Sequence, residues 1–519
     1  MSERDLRIGV DVGGTNTDAV VLDATDRVIA RAKCPTSADV TGGVHDSLAA
    51  VLARLGEDDR DGRRVGRVML GTTHATNAIL QRRGLGRVAV MRLGSPATTA
   101  VPPLESWPAD LRKTVAVDAA VLPGGHYIDG RTIAPLDADA VRRFLHGVAG
   151  RVDAVAVAGV FSPAFTEHEL TVAELVRHEL GDGVAVSMSH EIGALGLLER
   201  ENATVLNAAL YEVAAQVRHA LGEALREHGL DAASYFAQND GTLMAVDYAV
   251  RYPVLTIGSG PANSIRGAAF LSGLPDAIVA DVGGTSTDLG VLVKGFPRQS
   301  AAGVEIGGVR TNFPMPDILA IALGGGTVVG ADGALGPRSV GYRITEEAYV
   351  FGGGTPTMTD AAVAAGRAGI GWQQPPAHLG DLFSAALEAS DALVADAVDR
   401  MALGRGDRPL VVVGGGAFLV PDDLPGVSKV IRPDDGDVAN AVGAAIAQVS
   451  GSWDTIVPVG DGRRAALDEA CEVAVRRAVQ AGADPAGVEV VDMVEIPLSY
   501  LPEPASRVHV KAAGPLGNL

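Results

Sequence analysis

The sequence has little cysteine, few aromatic residues and a deficit of basic side chains. Its 519 residues include two cysteines, Cys34 and Cys471, which belong to no Cys-x-x-Cys pair or Cys/His cluster. This arrangement excludes a disulfide scaffold, a zinc ribbon and a cysteine-ligated cluster. The chain has 43 basic against 63 acidic residues, a formal net charge of -20, which disfavours non-specific binding to nucleic acid or anionic lipid. We therefore expect no nucleic-acid partner and no membrane partner.

Long apolar runs are also missing. The nearest approach, residues 152–160, contains Asp153 and is soon followed by Ser162-Pro163, so it falls short of the roughly 18 residues of a membrane-spanning helix. The opening MSERDLRIGVDVGG has neither the apolar region nor the cleavage site of a signal peptide. The sequence predicts a cytoplasmic protein.

The chain has the composition of a globular protein. Hydrophobic residues make up 47% of it and charged residues 20%, and its length favours two or three domains. Buried-strand patterns alternate with helical patterns, which predicts an α/β fold with mostly buried strands. The predicted strands include residues 6–10, 88–91, 154–160, 277–282 and 410–413, and the predicted helices include 137–145, 167–180, 189–226 and 463–481.

An internal repeat is the most informative feature. The segment IGVDVGGTNTDAVVLD at 8–23 is echoed by VADVGGTSTDLGVLV at 279–293. Two glycines allow a sharp turn, and the amides and hydroxyls that follow can donate to phosphate oxygens. Each copy therefore predicts a β-hairpin phosphate loop. The candidate nucleotide-binding residues are Gly13, Gly14, Thr15, Asn16 and Thr17 in the first copy and Gly283, Gly284, Thr285, Ser286 and Thr287 in the second.

Each repeat also carries two carboxylates. Asp11 and Asp281 stand at strand ends, where each can hold Mg²⁺ through water beside nucleotide phosphates. Asp18 and Asp288 either brace their hairpins through Asx-type hydrogen bonds or act directly. Asp11, Asp281 and Asp288 are the candidate catalytic residues.

Further glycine runs allow close approach of the backbone to a ligand. Gly324, Gly325 and Gly326 form one, and Gly414, Gly415 and Gly416 follow a predicted buried strand as an adenine or ribose turn would. We assign both runs to the nucleotide site. Asp360 is predicted to cap a helix N-terminus. The polar and charged residues of the predicted 189–226 helix, Arg200, Glu201 and Asn202 among them, indicate a solvated face or a contact between lobes.

These motifs resemble the actin, sugar-kinase and heat-shock-protein-70 ATPase superfamily and, within it, the hydantoinase/oxoprolinase family. The resemblance is carried by the two repeats and by GTTHATNAIL (71–80), ERENATVLNAAL (199–210), GSGPANSIRGA (258–268), ALGGGTVV (322–329), LGPRSVG (335–341) and GGTPTMTDA (353–361). It implies a two-lobed, actin-like (ribonuclease H-like) fold with ATP and Mg²⁺ between the lobes. It further implies ATP-driven opening of a cyclic amide: a hydantoin, 5-oxoproline or another lactam.

The resemblance also suggests how the chain is organised. It predicts an N-terminal lobe at 1–190, a second lobe at 191–450 and a small C-terminal α+β appendage at 451–519. The short tail replaces the larger C-terminal domain that is usual in the family. A second hydantoinase-type subunit and a homo-oligomer are the protein partners expected.

By resemblance, the substrate-side loop contains Thr72, Thr73, His74 and Asn77. The alternative is that Thr72 or Thr73 only caps the helix that follows. Here Leu70 replaces the histidine that usually precedes Gly-Thr-Thr, and a histidine stands at His74 instead. His74 is a candidate acid or base near neutral pH.

Two other functions use the same ATPase scaffold. One is a small-molecule kinase of the sugar-kinase type, since DVGGTNT also occurs in such kinases. The other is a non-catalytic regulatory ATPase. The family-specific segments outside the phosphate loops favour the amide hydrolase.

Overall fold

The computed structural model describes residues 5–13, 16–35, 40–55, 64–300, 303–402, 408–460, 462–498 and 504–517. The strands are β1 Asp5–Val12, β2 Asn16–Leu22, β3 Val28–Pro35, β4 Arg64–Thr72, β5 Val88–Ser95, β6 Ala116–Pro123, β7 Ala154–Gly159, β8 Ala185–Met188, β9 Ala233–Ala237, β10 Leu243–Ala245, β11 Ala277–Val282, β12 Thr287–Val293, β13 Phe296–Pro297, β14 Val304–Ile306, β15 Val309–Thr311, β16 Ile318–Ile321, β17 Thr327–Val329, β18 Leu335–Ser339, β19 Arg408–Val413, β20 Val427–Ile431, β21 Val449–Pro458, β22 Glu489–Leu498 and β23 Ala505–Gly514.

Helices alternate with these strands. The α-helices span Val40–Ala53, His74–Gln81, Ala109–Val115, Ala138–Val148, Glu167–Leu180, Ser189–Ile192, Leu197–Ala209, Tyr211–Glu227, Val246–Arg251, Ser259–Ser272, Ile344–Glu347, Met358–Ala364, Gly380–Met401, Ala439–Ile446 and Arg463–Gln480, and short 3-10 helices span Pro253–Thr256, Gly341–Arg343, Tyr349–Phe351, Ala377–Leu379, Ala417–Leu419, Gly436–Val438 and Pro485–Gly487. All five predicted strands are present, and the predicted α/β class is confirmed.

The first lobe is built on two sheets. The larger sheet has nine strands in the order β22-β23-β21-β10-β9-β4-β1-β2-β3, and the smaller has four in the order β6-β5-β7-β8. The core of the larger sheet packs against the helices Val40–Ala53, Tyr211–Glu227 and Arg463–Gln480. Strands from all three predicted segments therefore share one sheet, and the division at 190 and 450 stays a prediction.

The second lobe has its own sheet. Its order is β13-β12-β11-β19-β20, with β16 also bonded to β12. The hydrophobic side of this sheet packs against the helices Met358–Ala364 and Gly380–Met401. The hairpin β11–β12 therefore occupies the same place in this lobe as β1–β2 in the first.

Two helices cross between the lobes. The helix Ser259–Ser272 follows first-lobe strands in the chain yet packs on the second sheet, whereas Ala439–Ile446 follows second-lobe strands and packs on β2. They meet at glycines: a Cβ on Gly267 would overlap the Ala439 carbonyl, and a Cβ on Gly443 would overlap the Asn263 carbonyl. Glycine at both positions lets the two backbones touch.

Gly267→Ala is expected to lower the free energy of unfolding by about 1–3 kcal/mol, because the added methyl forces the crossing helices apart. Urea unfolding measures the change. Gly222→Ala is the matched control, since a Cβ at this helical glycine meets no atom within 4 Å. The control should be stabilised by about 0.5–1 kcal/mol. Equal effects at the two glycines would contradict the close crossing.

The predicted helix 189–226 is wrong in two respects. It is three helices, because Gly193 is extended and Gly196 precedes a new start, and a second break falls at Leu210. Three polar residues of the predicted face, Arg200, Glu201 and Asn202, are not solvated, because all three are at most 5% exposed. They are buried because each has partners that the sequence did not show.

Those partners form a buried polar network. Glu201 accepts two hydrogen bonds from the Arg92 guanidinium, at 2.6 and 2.7 Å. Arg200 donates to the carbonyls of Gly159, Ala194 and Leu195. The network fixes the helix Leu197–Ala209 to the four-stranded sheet.

No helix within the described ranges is both long and apolar enough to cross a membrane.

Candidate functional site

The two repeat hairpins have the same geometry. In each, the first aspartate lies opposite the second across the antiparallel pair: Asp11 faces Asp18, and Asp281 faces Asp288. The turns close with equivalent bonds, from Gly13 N to Asn16 O at 3.0 Å and from Gly283 N to Ser286 O at 2.9 Å. Both repeats therefore form hairpins with the same register and the same closing bond, and their binding of phosphate stays a prediction.

Both hairpins open on one cleft between the lobes. The cleft has a volume of about 450 Å³, and residues of both loops line it. The predicted residues that line it are Asp11, Gly13, Asn16, Thr73, Asp281, Gly283, Gly284, Thr285, Ser286, Asp288, Gly325, Gly414, Gly415 and Gly416. The structure thus brings most of the predicted site together, although the two repeats are 270 residues apart.

The cleft is strongly acidic. Five aspartates line it, namely Asp11, Asp18, Asp281, Asp288 and Asp437, and Lys33 is the only cationic side chain among its described lining residues. Lys33 is itself 2.7 Å from Asp18. Carboxylates this close together attract cations, so a polyphosphate entering the cleft requires accompanying positive charge.

Asp11 is held by the two crossing helices. The Asn263 amide donates to its Oδ1 and the Asn440 amide to its Oδ2, both at 3.1 Å. Burial raises the pKa of Asp11 to about 6; the two amides oppose this rise, and the charges of Asp18 and Asp281 add to it. Gly71 is required beside Asp11, because a Cβ there would overlap the carboxylate.

The second pair of aspartates is placed similarly. Burial raises the pKa of Asp281, against a hydrogen bond from Ser264. Burial, together with the charge of Asp281, raises the pKa of Asp288 to about 6. Asp18 differs, because Asn440 donates to it at 2.9 Å and Lys33 pairs with it. Asp18 is therefore held by residues outside its own hairpin turn, Asn440 and Lys33.

Asp11→Asn is expected to stabilise the protein at pH 8 by about 2–3 kcal/mol, because a buried aspartate whose folded pKa exceeds the unfolded value weakens the fold once it is charged. Stability from such a group is complete below the unfolded pKa of 3.8 and is lost as the pH rises through about 6. The gain should therefore shrink towards pH 4. Thermal unfolding across this pH range, without nucleotide, measures it. A gain independent of pH would show that Asp11 is not the titrating group.

The glycine runs support the second hairpin. Gly325 N and Gly326 N donate to the carbonyls of Gly283 and Gly284, at 3.1 and 2.7 Å. A Cβ on Gly324 would crowd the backbone between Gly284 and Thr285. Gly414 has a φ of 86°, and a Cβ there would overlap the Asp281 carboxylate. Only Gly325 of the 324–326 run lines the cleft, whereas all three residues of 414–416 do.

The cleft also has apolar lining residues, namely Ile344, Phe351, Ile370 and Phe418. A Cβ on Gly325 would lie 3.8 Å from Ile344 and 4.0 Å from Phe418. Phe351 also meets Trp372 edge-on, with ring centroids 5.3 Å apart. Flat aromatic and aliphatic surfaces suit a planar base, whereas the aspartates suit the cations that accompany phosphates.

The predicted substrate loop is divided. Thr73 lines the cleft, its hydroxyl donating to the Val12 carbonyl at 3.2 Å, and Asn77 donates to Thr73. Thr72 and His74 instead line a small apolar pocket formed with Val213 and Phe236. Thr72 Oγ1 is 2.7 Å from His74 Nδ1. Thr73 makes no side-chain capping bond to the helix, and the substrate role of this loop stays a prediction.

Other predicted residues lie elsewhere. Thr17 and Thr287 are buried in β2 and β12, and the Thr287 hydroxyl donates to the Leu323 carbonyl at 2.7 Å. Gly14 and Thr15 lie outside the described residues. Asp360 caps the helix Met358–Ala364, as predicted, in a reciprocal box with Thr357.

Several residues that contact the aspartates of the cleft were not predicted. Asn263 and Ser264 belong to the segment GSGPANSIRGA, but nothing in the spacing of that segment predicts that they form hydrogen bonds to Asp11 and Asp281. Asn440 is 429 residues from Asp11, and Lys33 sits in an ordinary strand. Sequence distance conceals these partners, because the fold alone brings the crossing helices onto the carboxylates.

Comparison with known proteins identifies the family. Residues 7–180 match the model described as the hydantoinase/oxoprolinase N-terminal region, and residues 200–370 match the hydantoinase/oxoprolinase model. Together the two matches cover more than half of the chain.

Individual relatives agree with these matches. The chain is 28% identical to caprolactamase subunit alpha of Pseudomonas jessenii over 399 residues, which cover 70% of this chain and 55% of that protein. It is 29% identical to the acetophenone carboxylase gamma subunit of Aromatoleum aromaticum over 390 residues, covering 69% and 53%. The chain thus spans about half the length of the curated relatives it matches.

The fold has solved counterparts. The ATP-dependent caprolactamase from Pseudomonas jessenii superposes with a TM-score of 0.78 at 20% identity, covering 99% of this chain and 89% of that one. A nucleotide-free acetone carboxylase superposes with a TM-score of 0.66 at 17% identity, covering 98% and 88%. The predicted two-lobed α/β fold is confirmed. By its matching models and relatives, the chain belongs to the hydantoinase/oxoprolinase family.

Proposed function

We propose that this chain is the ATP-using part of an ATP-dependent hydrolase that opens a cyclic amide, such as a hydantoin, 5-oxoproline or another lactam. The observation that carries the proposal is the matched pair of Asp-Val-Gly-Gly hairpins that line one cleft, which Asp11 and Asp281 also line. Relatives named for lactam hydrolysis, caprolactamase and 5-oxoprolinase, support the choice of amide.

An amide needs activation because its carbon is a poor electrophile. Transfer of the γ-phosphoryl of ATP to the amide oxygen forms a P–O bond, releases ADP and gives an imidate phosphate. Water then adds to the ring carbon, and cleavage of the C–N bond, with a proton passing to nitrogen, opens the ring as an acyl phosphate. A second water releases phosphate and leaves the carboxylate.

Phosphoryl transfer requires mainly positioning and neutralisation of charge. The turn amides of the two hairpins and the hydroxyls of Thr285 and Ser286 are the donors proposed to hold the phosphates. The backbone of Gly414–Gly416 and the apolar lining residue Phe418 are proposed to hold the nucleoside. The half-buried Asp281 and Asp288, which line the cleft, are proposed to bind a cation or exchange a proton beside the phosphates.

The donor set fits Mg²⁺. Within the described residues no three His, Cys, Asp or Glu side chains converge as a protein-only metal site. Mg²⁺ usually keeps several waters and takes one or two carboxylates together with substrate phosphates, and the acidic cleft offers such carboxylates. Asp11 and Asp281 are proposed to hold it, and its charge would offset that of the phosphates.

The testing experiment measures ATP hydrolysis by the purified chain with a panel of hydantoins, 5-oxoproline and lactams, following phosphate release and ring opening together. A lactam labelled with ¹⁸O at its carbonyl should pass the label to phosphate. Coupled release on one ring supports the proposal and identifies the substrate. A phosphate retained on an added sugar would indicate a kinase instead. Nucleotide binding without turnover on any ring would indicate a missing second subunit or a regulatory ATPase.

A second candidate function is ATP-dependent carboxylation. The acetophenone carboxylase gamma subunit is as similar to this chain as the caprolactamase subunit is, and enol oxygen, like amide oxygen, can accept a phosphoryl group. Including acetophenone with bicarbonate in the same panel separates the two. ATP use that depends on both would replace hydrolysis with carboxylation.

A further inference from the structure

Strand β22 is an open edge of the nine-stranded sheet. It bonds to β23 on one side, and within the described residues no strand bonds to its other side. Residues 489–497 are all exposed. Its apolar side chains, each 40–49% exposed, are Val490, Val491, Met493, Val494 and Ile496. Successive side chains of a strand point to opposite faces of the sheet, so exposed apolar side chains of β22 lie on both faces.

The opposite edge of the same sheet is protected. Strand β3 carries Arg31, which pairs with Asp435 and Asp437, and Lys33, which pairs with Asp18. The helix Val40–Ala53 packs beside it. Basic side chains and covering helices are the usual means by which proteins block an edge strand. Strand β22, EVVDMVEIPL, has no basic residue and a proline only near its end.

The sequence of β22 suits pairing with itself. A twofold axis perpendicular to the sheet makes two copies antiparallel, with each residue facing one on the same side of the sheet. The pairing with β23 shifts between Val490 and Asp492, so Asp492–Ile496 is the regular part. With Val494 on the axis, Asp492 faces Ile496 and Met493 faces Glu495.

This register separates the carboxylates. Moving the axis to Asp492 would set that carboxylate against its own copy, which is destabilising. Glu495 is already neutralised, because Arg463 Nη1 and Nη2 donate to its two oxygens at 2.7 Å each. In this register no carboxylate of the regular part faces another carboxylate, and three of its five residues, Met493, Val494 and Ile496, are apolar.

We propose that β22 is a dimer interface between two copies of this chain. Antiparallel pairing of the two β22 strands about Val494 joins the nine-stranded sheets of both copies into one continuous sheet. The backbone bonds supply the directionality, and the apolar side chains on both faces supply the burial.

Sedimentation velocity of the full chain tests the proposal. The wild type should sediment near twice 53.0 kDa, about 106 kDa, at micromolar concentration. Val494→Lys should sediment as a monomer, because two ammonium groups would meet at the axis. Leu170→Lys is the matched control, since Leu170 is 45% exposed on a helix away from this edge; it should remain dimeric.

A cross-link gives a second readout that does not depend on a destabilising change. Val494→Cys treated with a short bis-maleimide should form a covalent dimer, whereas the wild type, which retains Cys34 and Cys471, and Leu170→Cys should not. A wild type that is monomeric throughout the micromolar range would overturn the proposal and leave β22 to a different partner. So would a Val494→Lys variant that dimerises like the control.

Discussion

Asp281→Ala is expected to lower ATP hydrolysis by about 10²–10³-fold, the loss typical when a preorganised charged group at a phosphoryl-transfer site is removed. Asp281 is the penultimate residue of β11 and lines the cleft, opposite Asp288 and beside Gly414. Its removal takes away one of the two carboxylates proposed to hold Mg²⁺. Phosphate release with the substrate identified by the ring panel measures the effect.

This loss should not reflect unfolding. Burial already raises the pKa of Asp281, so its charged form weakens the fold at neutral pH, and alanine removes that penalty. Thermal stability of Asp281→Ala should therefore equal or exceed that of the wild type. Asp276→Ala is the control immediately before the same strand, because Asp276 accepts from the Lys294 amide at 3.3 Å and does not line the cleft. Full turnover by Asp281→Ala would remove this residue from the mechanism.

Glu201→Ala is expected to lower the free energy of unfolding by about 3–5 kcal/mol. Arg92 and Glu201 are 0% and 1% exposed as a pair, and removing one partner leaves a charge buried without its counter-ion. Arg92 would retain its bonds to the Val101 and Thr98 carbonyls, which limits the loss. Urea unfolding of the variant measures it.

An exposed pair provides the comparison. Arg218 and Asp247 lie 2.9 Å apart but are 55% and 87% exposed, so Asp247→Ala should cost less than about 1 kcal/mol. The double variant Arg92→Met/Glu201→Leu should recover much of the loss, because a matched apolar pair avoids the desolvation of both charges. A single-variant loss no greater than that of Asp247→Ala would contradict the desolvated pair.

The repeat made the central part of this structure predictable. Asp-Val-Gly-Gly followed by hydroxyl-bearing residues, between two apolar runs, predicts a tight hairpin, and both antiparallel strand pairs are present in the structure. The same local logic located the Thr357/Asp360 capping box. These features depend on contacts within about ten residues, where side-chain type and spacing decide the geometry.

Features that depend on distant contacts were missed. From the sequence alone, Arg200 and Glu201 indicate a solvated face. In the structure, Glu201 accepts from Arg92, and Arg200 donates to the carbonyls of Gly159 and Ala194. The Asn263 and Asn440 amides reach Asp11 only because Gly267 and Gly443 let two helices cross in contact. The hydrophobic periodicity of the sequence does not predict such contacts between distant segments, because each of the two helices has an ordinary helical pattern on its own.

The nine-stranded sheet also has a consequence for biosynthesis. Strand β10 bonds to β21. β10 ends at Ala245 and β21 begins at Val449, which is 204 positions later. At about 5–20 residues per second, a ribosome needs about 10–40 s to supply the missing neighbour. Throughout that interval the nascent first lobe exposes an unpaired strand edge, and pairings of such long range fold slowly. Synthesis at lower temperature or with a chaperone that shields strand edges should therefore raise the yield of folded protein more than it does for a chain with local topology.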